Sequence, residues 1–225
     1  MLINHDYKIS PETALSHTDI LERNLHNMNN SFYAILFRQR YIKRWGLMRN
    51  TYDETLEEHA AETAMLAHAL ASIGNEILGI PANTDRAVTL ALFHDATEVY
   101  TGDLPTPVKY YSDEIRESYK RIEAEAAARI CTTLPDKMQN VYRSIFGTAA
   151  ASDPEETHLR DLVKAADKLS AYIKCLTEQR SGNHEFDSAA QAIYKTLSET
   201  DCPELHWFME NLLEPFTVSL DEVGL

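Results

Sequence analysis

Residues 84–100 read TDRAVTLALFHDATEVY, and this stretch decides the fold class. Its apolar residues recur with the spacing of a helix that buries one face. They are Ala87, Leu90, Ala91, Phe93 and Val99. We therefore predict one helix that starts near Thr84 as its N-cap and runs to about Tyr100.

The rest of the chain repeats this helical pattern. Glycine and proline are scarce, at 7 and 8 residues, and they fall between helical segments rather than between alternating strands. The further predicted helices cover roughly residues 11–26, 31–43, 56–78, 112–133, 135–146, 155–179, 185–199 and 203–213, with a short tail over 217–225. Residues 101–107 are predicted as a loop because Pro105 and Pro107 both interrupt a helix. The fold class predicted is all-α.

The length, charge and composition of the chain limit the kinds of partner that it can have. A chain of 225 residues is long enough for one domain with a sizeable core. A net charge of −14 repels the phosphates of polymeric nucleic acid, which we exclude as a partner. No apolar run approaches the roughly 20 residues that span a bilayer, so we predict a cytoplasmic protein without a membrane contact. The 3 cysteines are far apart and predict neither a disulfide framework nor a thiolate zinc site.

Histidine and acidic residues interrupt the apolar pattern at three places. On a helix His94, Asp95 and Glu98 converge on one side, and such a group among apolar neighbours is costly unless a cation compensates it. His59 opens the preceding helix, and Asp167 lies in an apolar register of a later one. An isolated His-Asp pair is most often a solvated stripe, and a lone Asp often bonds only to the backbone. Together these nitrogen and oxygen donors suit a transition metal better than calcium or magnesium.

The ordered set of His59, His94, Asp95 and Asp167 resembles the HD-domain metal-dependent phosphohydrolases, and among them most closely the bacterial 5′-deoxynucleotidases. The sequence motifs that carry the resemblance are RWGLMRN at 44–50, EH at 58–59, HDATEV at 94–99, TGDLPTPVKY at 101–110, AD at 166–167, AY at 171–172 and KCL at 174–176.

The resemblance implies an HD-domain helical bundle whose metal site lies among three helices. It implies a core domain over 31–225. The predicted helical extension over 1–30 departs from the resemblance, and its His5, His17 and His26 are expected at the surface, with a role over the pocket or at a partner contact as the alternative. The resemblance further implies hydrolysis of deoxyribonucleoside 5′-monophosphates by a homodimer with one divalent ion per chain. The ion's identity stays open among Co, Mn, Zn, Fe and Ni.

Roles for single residues follow from the same resemblance. The metal ligands would be His59, His94, Asp95 and Asp167, and Asp95 would also contact the substrate. Glu98 would be the catalytic acid or base, and Arg44 would orient the phosphate. The nucleotide site would be lined by Trp45, and the sugar end by Asp103, Leu104, Pro105 and Thr106.

Several alternatives remain at this stage. Arg44 could instead be a solvated surface cation, and Trp45 a partly buried core aromatic. Lys109 either adds positive charge to the pocket or is solvated, and Lys164 either pairs with a carboxylate of the site or points to water. The protein as a whole could be an HD phosphohydrolase for another phosphoester or a noncatalytic helical module. A ferritin-like metal protein needs two Glu-x-x-His pairs, and the sequence holds one, Glu155 to His158, which we interpret as a helix start.

Overall fold

A computed structural model describes residues 30–109, 111–147 and 153–224, and over these ranges the chain forms helices and no β-strand. This confirms the predicted all-α class. The predicted helix over 11–26 and the N-terminal histidines lie outside the described residues, as does nearly all of the predicted extension. None of the described helices is long and apolar enough to cross a membrane.

Eleven α-helices follow one another along the described part of the chain. They are α1 (Phe32–Leu36), α2 (Leu56–Ile73), α3 (Thr84–Leu92), α4 (Glu98–Thr101), α5 (Thr106–Lys109), α6 (Asp113–Thr132), α7 (Asp136–Ile145), α8 (Pro154–Arg180), α9 (Asp187–Glu199), α10 (Pro203–Asn211) and α11 (Leu220–Val223). Short 3-10 turns at Phe37–Tyr41, His184–Phe186 and Glu214–Thr217 and a π turn at Gly74–Leu78 join or extend them.

The main core lies between α2, α3 and α8, with α9 and α10 packed on its outside. A second core surrounds Phe32 and joins α1 to α6, α7 and the turn that follows α3. These two cores fix α2, the turn after α3, and α8 relative to one another. The three segments that carry the candidate metal ligands are therefore held by packing rather than by loops.

The two longest helices of the main core begin where the sequence predicts because their caps are local. Thr55 and Glu58 form a capping box at α2, in which each side chain accepts a hydrogen bond from the other's backbone N–H. At α8, Asp153 accepts from the N–H of Glu155, and Pro154 occupies the first turn. The pair of Glu155 and His158 is thus a helix start, as predicted.

The predicted helix over 31–43 is α-helical only to Leu36 and ends as a 3-10 turn at Tyr41. Pairing with a distant segment stops it, because Ile42 is extended and accepts a hydrogen bond from the N–H of Leu56 at 2.9 Å. Arg44 likewise donates its N–H to the carbonyl of Glu54 at 2.9 Å. The chain from Arg44 to Glu54 therefore forms a closed loop.

The prediction of one helix over 84–100 is wrong. Asn83, not Thr84, caps α3 by accepting from the N–H of Arg86, and α3 ends at Leu92. Beyond Leu92 the backbone bonds span three residues, because the N–H of Phe93 donates to Leu90 and that of His94 to Ala91. The Ala91 carbonyl also accepts from His94 Nδ1 at 2.6 Å, and the chain passes through tight turns before α4 begins at Glu98.

A buried ion pair anchors the closed loop to α8. Lys174 donates to Glu178 at 2.5 Å and to the carbonyl of Tyr52 at 2.8 Å. Glu178 is fully buried and also accepts from the N–H of Thr51 and the side chain of Asn183. Burial alone would raise the pKa of Glu178, but Lys174 and these donors hold that pKa at about 2.

We expect Glu178→Gln to lower the free energy of unfolding by about 3 kcal/mol, since it leaves the buried Lys174 ammonium without its counter-charge. The folded-state pKa of Glu178 is below the value of about 4.3 for an unfolded chain. Its stabilisation is therefore fully present above about pH 4.3 and is lost as the pH falls toward about 2. Denaturant unfolding at several pH values measures both effects.

The matched control is Glu199→Gln, because Glu199 forms an exposed pair with Lys195 at 3.9 Å. That variant is expected to unfold within about 0.5 kcal/mol of the wild type. An unchanged stability of the Glu178 variant at pH 7 would contradict the role given to this ion pair.

Candidate metal centre

Four side chains that are far apart in sequence meet at one point. One donor atom from each of His59, His94, Asp95 and Asp167 can be chosen so that all lie within 4.8 Å of one another. They come from α2, from the turn after α3, and from α8. His59 Nε2 is 3.0 Å from Asp167 Oδ1, and His94 Nε2 is 3.0 Å from Asp95 Oδ2. The described residues contain no other such group of three or more His, Cys, Asp or Glu donors.

The hydrogen bonds behind both imidazoles fix which nitrogen faces the cluster. His94 uses Nδ1 as the donor to Ala91, so in the neutral ring Nε2 carries the lone pair. This Nε2 is buried and, although it lies 3.0 Å from Asp95 Oδ2, it makes no hydrogen bond of acceptable geometry to a described residue. His59 Nδ1 lies 3.2 Å from Ser170 Oγ, which in turn donates to Glu62 at 3.3 Å. Both rings thus present Nε2 as a ligand atom, the arrangement found at protein metal sites.

The charges of the cluster also suit a cation. Burial would raise the pKa of Asp95 and Asp167, but His94 and His59 lower both pKa values below the usual range, and Arg44 also lowers that of Asp95. Burial would lower the pKa of His94, but the carboxylates, Asp95 first, raise that pKa to about 9. The site therefore attracts positive charge, and a divalent ion would displace a proton from His94 on binding. Two neutral nitrogens with two anionic oxygens fit a divalent transition metal.

Arg44 is not a solvated surface cation. Only 12% of its side chain is exposed, with Nε 3.4 Å from Glu54 Oε1 and Nη1 3.5 Å from Asp95 Oδ2. Trp45 follows it with a φ of 58°, the one positive φ at a non-glycine residue in the described ranges. Its ring packs against Phe186, and its Nε1 donates to Glu54 at 2.6 Å. Trp45 is thus part of a small core and adjoins the cluster through Arg44.

Glu98 lies directly after the His94–Asp95 turn rather than on one continuous helix with it. Its side chain is 4% exposed, and its Oε2 has no hydrogen-bond partner in the described part of the chain. Burial and repulsion by Asp95 and Asp103 raise the pKa of Glu98 to about 8. A carboxyl in such surroundings is suited to proton transfer near neutral pH.

The predicted sugar-contacting loop follows α4. Burial, as the largest effect, raises the pKa of Asp103, while the nearby Arg44 guanidinium and the backbone of Trp45 lower it. Leu104 and Pro105 are half-buried, and Pro105 ends the loop by accepting from the N–H of Val108 and of Lys109. Thr106 is the first residue of α5. The loop therefore begins beside Arg44 and Trp45.

Lys164 and Lys109 lie in different surroundings. Lys164 has a side chain that is 72% exposed and pairs with Asp161, so it points to solvent. Lys109 is largely covered, because it pairs with Glu123 at 3.3 Å and lies over the ring of Tyr119. The alternative of a solvated Lys109 is therefore wrong.

Two residues near the cluster were missed by the sequence analysis. Ser170 lies three residues after Asp167, and this helical spacing was a usable signal for a second residue on the same face. Glu54 gave no such signal, because an acidic residue just before a capping threonine looks like ordinary helix-start surface.

His158, the remaining candidate of the ferritin-like alternative, lies 3.2 Å from Glu204 and takes no part in the cluster.

An all-α bundle that brings a histidine, a His-Asp pair and a later aspartate to one point is the HD-domain phosphohydrolase type. Comparison with known proteins agrees. A family model described as 5′-deoxynucleotidase YfbR-like matches residues 31–216, and the chain belongs to this family.

Relatives support the same family, and solved structures support the same fold. A 5′-deoxynucleotidase of Shewanella oneidensis is 43% identical over 192 residues, which are 85% of this chain and 96% of that protein. The fold is similar to that of an HD-domain phosphohydrolase from Listeria innocua, with a TM-score of 0.71, 21% identity and coverage of 84% and 90% of the two chains. It is also similar to a cyanophage S-2L HD phosphohydrolase bound to dA and one catalytic Zn²⁺, with a TM-score of 0.56, 22% identity and coverage of 81% and 96%.

Proposed function

We propose that this protein is a metal-dependent phosphomonoesterase that converts deoxyribonucleoside 5′-monophosphates to deoxyribonucleosides and phosphate. The observation that carries the proposal is the meeting of His59, His94, Asp95 and Asp167 beside the buried Arg44. The names of the relatives at 43% identity support the same substrate class.

In this proposal the four clustered side chains hold one divalent metal ion. When bound, such an ion activates water and neutralises charge on the phosphoryl oxygens. Arg44 presents a planar fork of donors to the phosphate, and its closeness to Asp95 places that fork next to the cluster. A phosphomonoester reacts through a loose transition state, so position and positive charge supply most of the catalysis.

Glu98 exchanges the proton that the reaction requires, either with the attacking water or with the departing 5′ oxygen of the sugar. Its buried Oε2 is free to do so, because no described residue bonds to it. The loop of Asp103, Leu104, Pro105 and Thr106 receives the sugar. Asp103 supports this assignment because it adjoins Arg44 and Trp45, which would hold the phosphate end.

The native metal is proposed to be a transition ion such as cobalt, manganese or zinc. Mixed imidazole and carboxylate ligation accepts each of these as well as iron and nickel. The resemblance further supports a cytoplasmic homodimer, and the half-exposed Ile122 on α6 is available for an apolar contact between subunits. Light scattering of the purified chain at several concentrations measures the subunit number.

A panel of mononucleotides tests the proposed function. With cobalt, manganese or zinc added, we expect more phosphate from deoxyribonucleoside 5′-monophosphates than from ribonucleoside 5′-monophosphates or triphosphates. The panel includes 3′-monophosphates as a control for position. Equal turnover of deoxy and ribo substrates would contradict the sugar selectivity, and phosphate release from none of them would contradict the proposed function itself.

A further inference from the structure

Glu54 lies just before α2 and contacts both the metal-ligand cluster and the residues proposed to hold the phosphate end of the substrate. Only 3% of it is exposed, so its carboxylate is almost fully removed from water. A buried carboxylate is costly unless donors or cations surround it. Here three neighbours fulfil that role, and each of them belongs to the proposed catalytic centre.

The two oxygens of Glu54 have different neighbours. Oε2 accepts from the indole N–H of Trp45 at 2.6 Å. Oε1 faces Arg44 Nε at 3.4 Å and His59 Nδ1 at 3.5 Å. The main chain adds a further link, because the carbonyl of Glu54 accepts from the N–H of Arg44 at 2.9 Å. One residue thus connects a proposed metal ligand with the two residues proposed to hold the phosphate end of the substrate.

The backbone at Trp45 shows what this connection resists. A φ of 58° places a bulky residue in the left-handed region, which is sterically unfavourable for a residue with a side chain. The carbonyl of Trp45 accepts from the N–H of Met48 at 2.8 Å, and Phe186 packs on the ring. The indole bond to Glu54 is the polar contact of the Trp45 side chain that opposes relaxation of this turn. Such a relaxation would move Arg44, its immediate neighbour, away from Asp95.

We propose that Glu54 is a positioning residue that holds the strained Trp45 turn, and through it Arg44, against the metal-ligand cluster. The expected effect on catalysis rests on the proposed function. The expected effect on the Trp45 turn rests on geometry alone. Glu54 touches no reacting atom and acts through Arg44, Trp45 and His59.

Glu54→Gln keeps the shape and removes the charge. An amide that still accepts from Trp45 with its oxygen turns an uncharged NH2 group, instead of a carboxylate oxygen, toward Arg44 and His59. We expect kcat/KM for deoxyribonucleoside 5′-monophosphates to fall by about 10–100-fold, as for other residues that orient a metal site. The control is Glu204→Gln, a fully buried carboxylate in α10 that touches His158 and none of the site residues. It is expected to keep the wild-type kcat/KM.

A double-mutant cycle with Arg44→Ala separates positioning from general damage. If Glu54 acts through Arg44, the double variant loses little more than Arg44→Ala alone. A second readout needs no turnover. In a Trp207→Phe background Trp45 is the remaining tryptophan, and Glu54→Gln is expected to shift its fluorescence emission to longer wavelength and to increase quenching by iodide.

Additive losses in the cycle, or an unchanged Trp45 emission, would overturn the proposal, as would an equal loss in the Glu204 control. Should Glu54→Gln fail to fold, Glu54→Asp replaces it, since the shorter side chain cannot reach Trp45 and Arg44 together. Wild-type kcat/KM in that variant also overturns the proposal. If the wild type hydrolyses no nucleotide, the proposed function fails, and the emission of Trp45 alone decides whether Glu54 holds the turn.

Discussion

Asp167→Asn is expected to lower phosphate release from deoxyribonucleoside 5′-monophosphates by about 10³-fold. The substitution keeps the size of the side chain and removes one of two carboxylates at the cluster, where Asp167 Oδ1 is 3.0 Å from His59 Nε2 and 3.9 Å from His94 Nε2. A bound metal contributes several kcal/mol to phosphoryl chemistry, and about 4 kcal/mol corresponds to this loss. Initial rates at saturating manganese, together with the metal content after dialysis, measure the effect.

Asp161→Asn is the matched control. Asp161 lies on the same helix α8, is exposed, and pairs with Lys164 at 2.8 Å. Its substitution is expected to leave both rate and metal content unchanged. If the Asp167 variant kept at least a tenth of the wild-type rate with normal metal content, Asp167 would not be a ligand and the proposed site would be wrong.

Glu98→Gln is expected to lower kcat by about 10²–10⁴-fold, the usual contribution of a general acid or base. Unlike the Asp167 variant, it should retain its metal, because Glu98 is not among the four clustered donors. The loss should appear in kcat more than in KM, since a proton transfer matters in the transition state and not in the bound substrate. Steady-state kinetics and metal analysis on the same preparation separate these effects.

The Glu204→Gln variant again controls for removal of a buried carboxylate elsewhere in the fold. A Glu98 variant that loses metal and activity together would place Glu98 in the metal site. One that keeps the wild-type kcat would show that the proton is moved by another group.

The sequence predicted those parts of the fold that local signals determine. Thr55 and Asp153 cap their own helices, so the starts of α2 and α8 could be placed to within about two residues. The histidines and aspartates of the cluster could be named because they interrupt apolar helical patterns. Their distances could not be predicted, because His59 and Asp167 meet only through the packing of α2 on α8.

The remaining features depend on contacts that no local pattern encodes. At the helix break after Leu92 the His94 ring donates a hydrogen bond to the Ala91 carbonyl. The left-handed Trp45 turn depends on Glu54 and on Phe186, which is remote in the sequence. Glu178 reaches Thr51 across 127 residues to anchor the same loop. A single sequence gives the residue types at these positions but not which of them come into contact.

X-ray absorption spectroscopy of the zinc-loaded chain tests the central claim most directly, because it reports the atoms bound to the metal. We predict one zinc per chain, with imidazole scattering from two histidines at about 2.0–2.1 Å and the remaining ligands oxygen. The Asp167→Asn variant should lose bound zinc. A spectrum without imidazole scattering, or with sulfur among the ligands, would contradict a metal site built from His59, His94, Asp95 and Asp167.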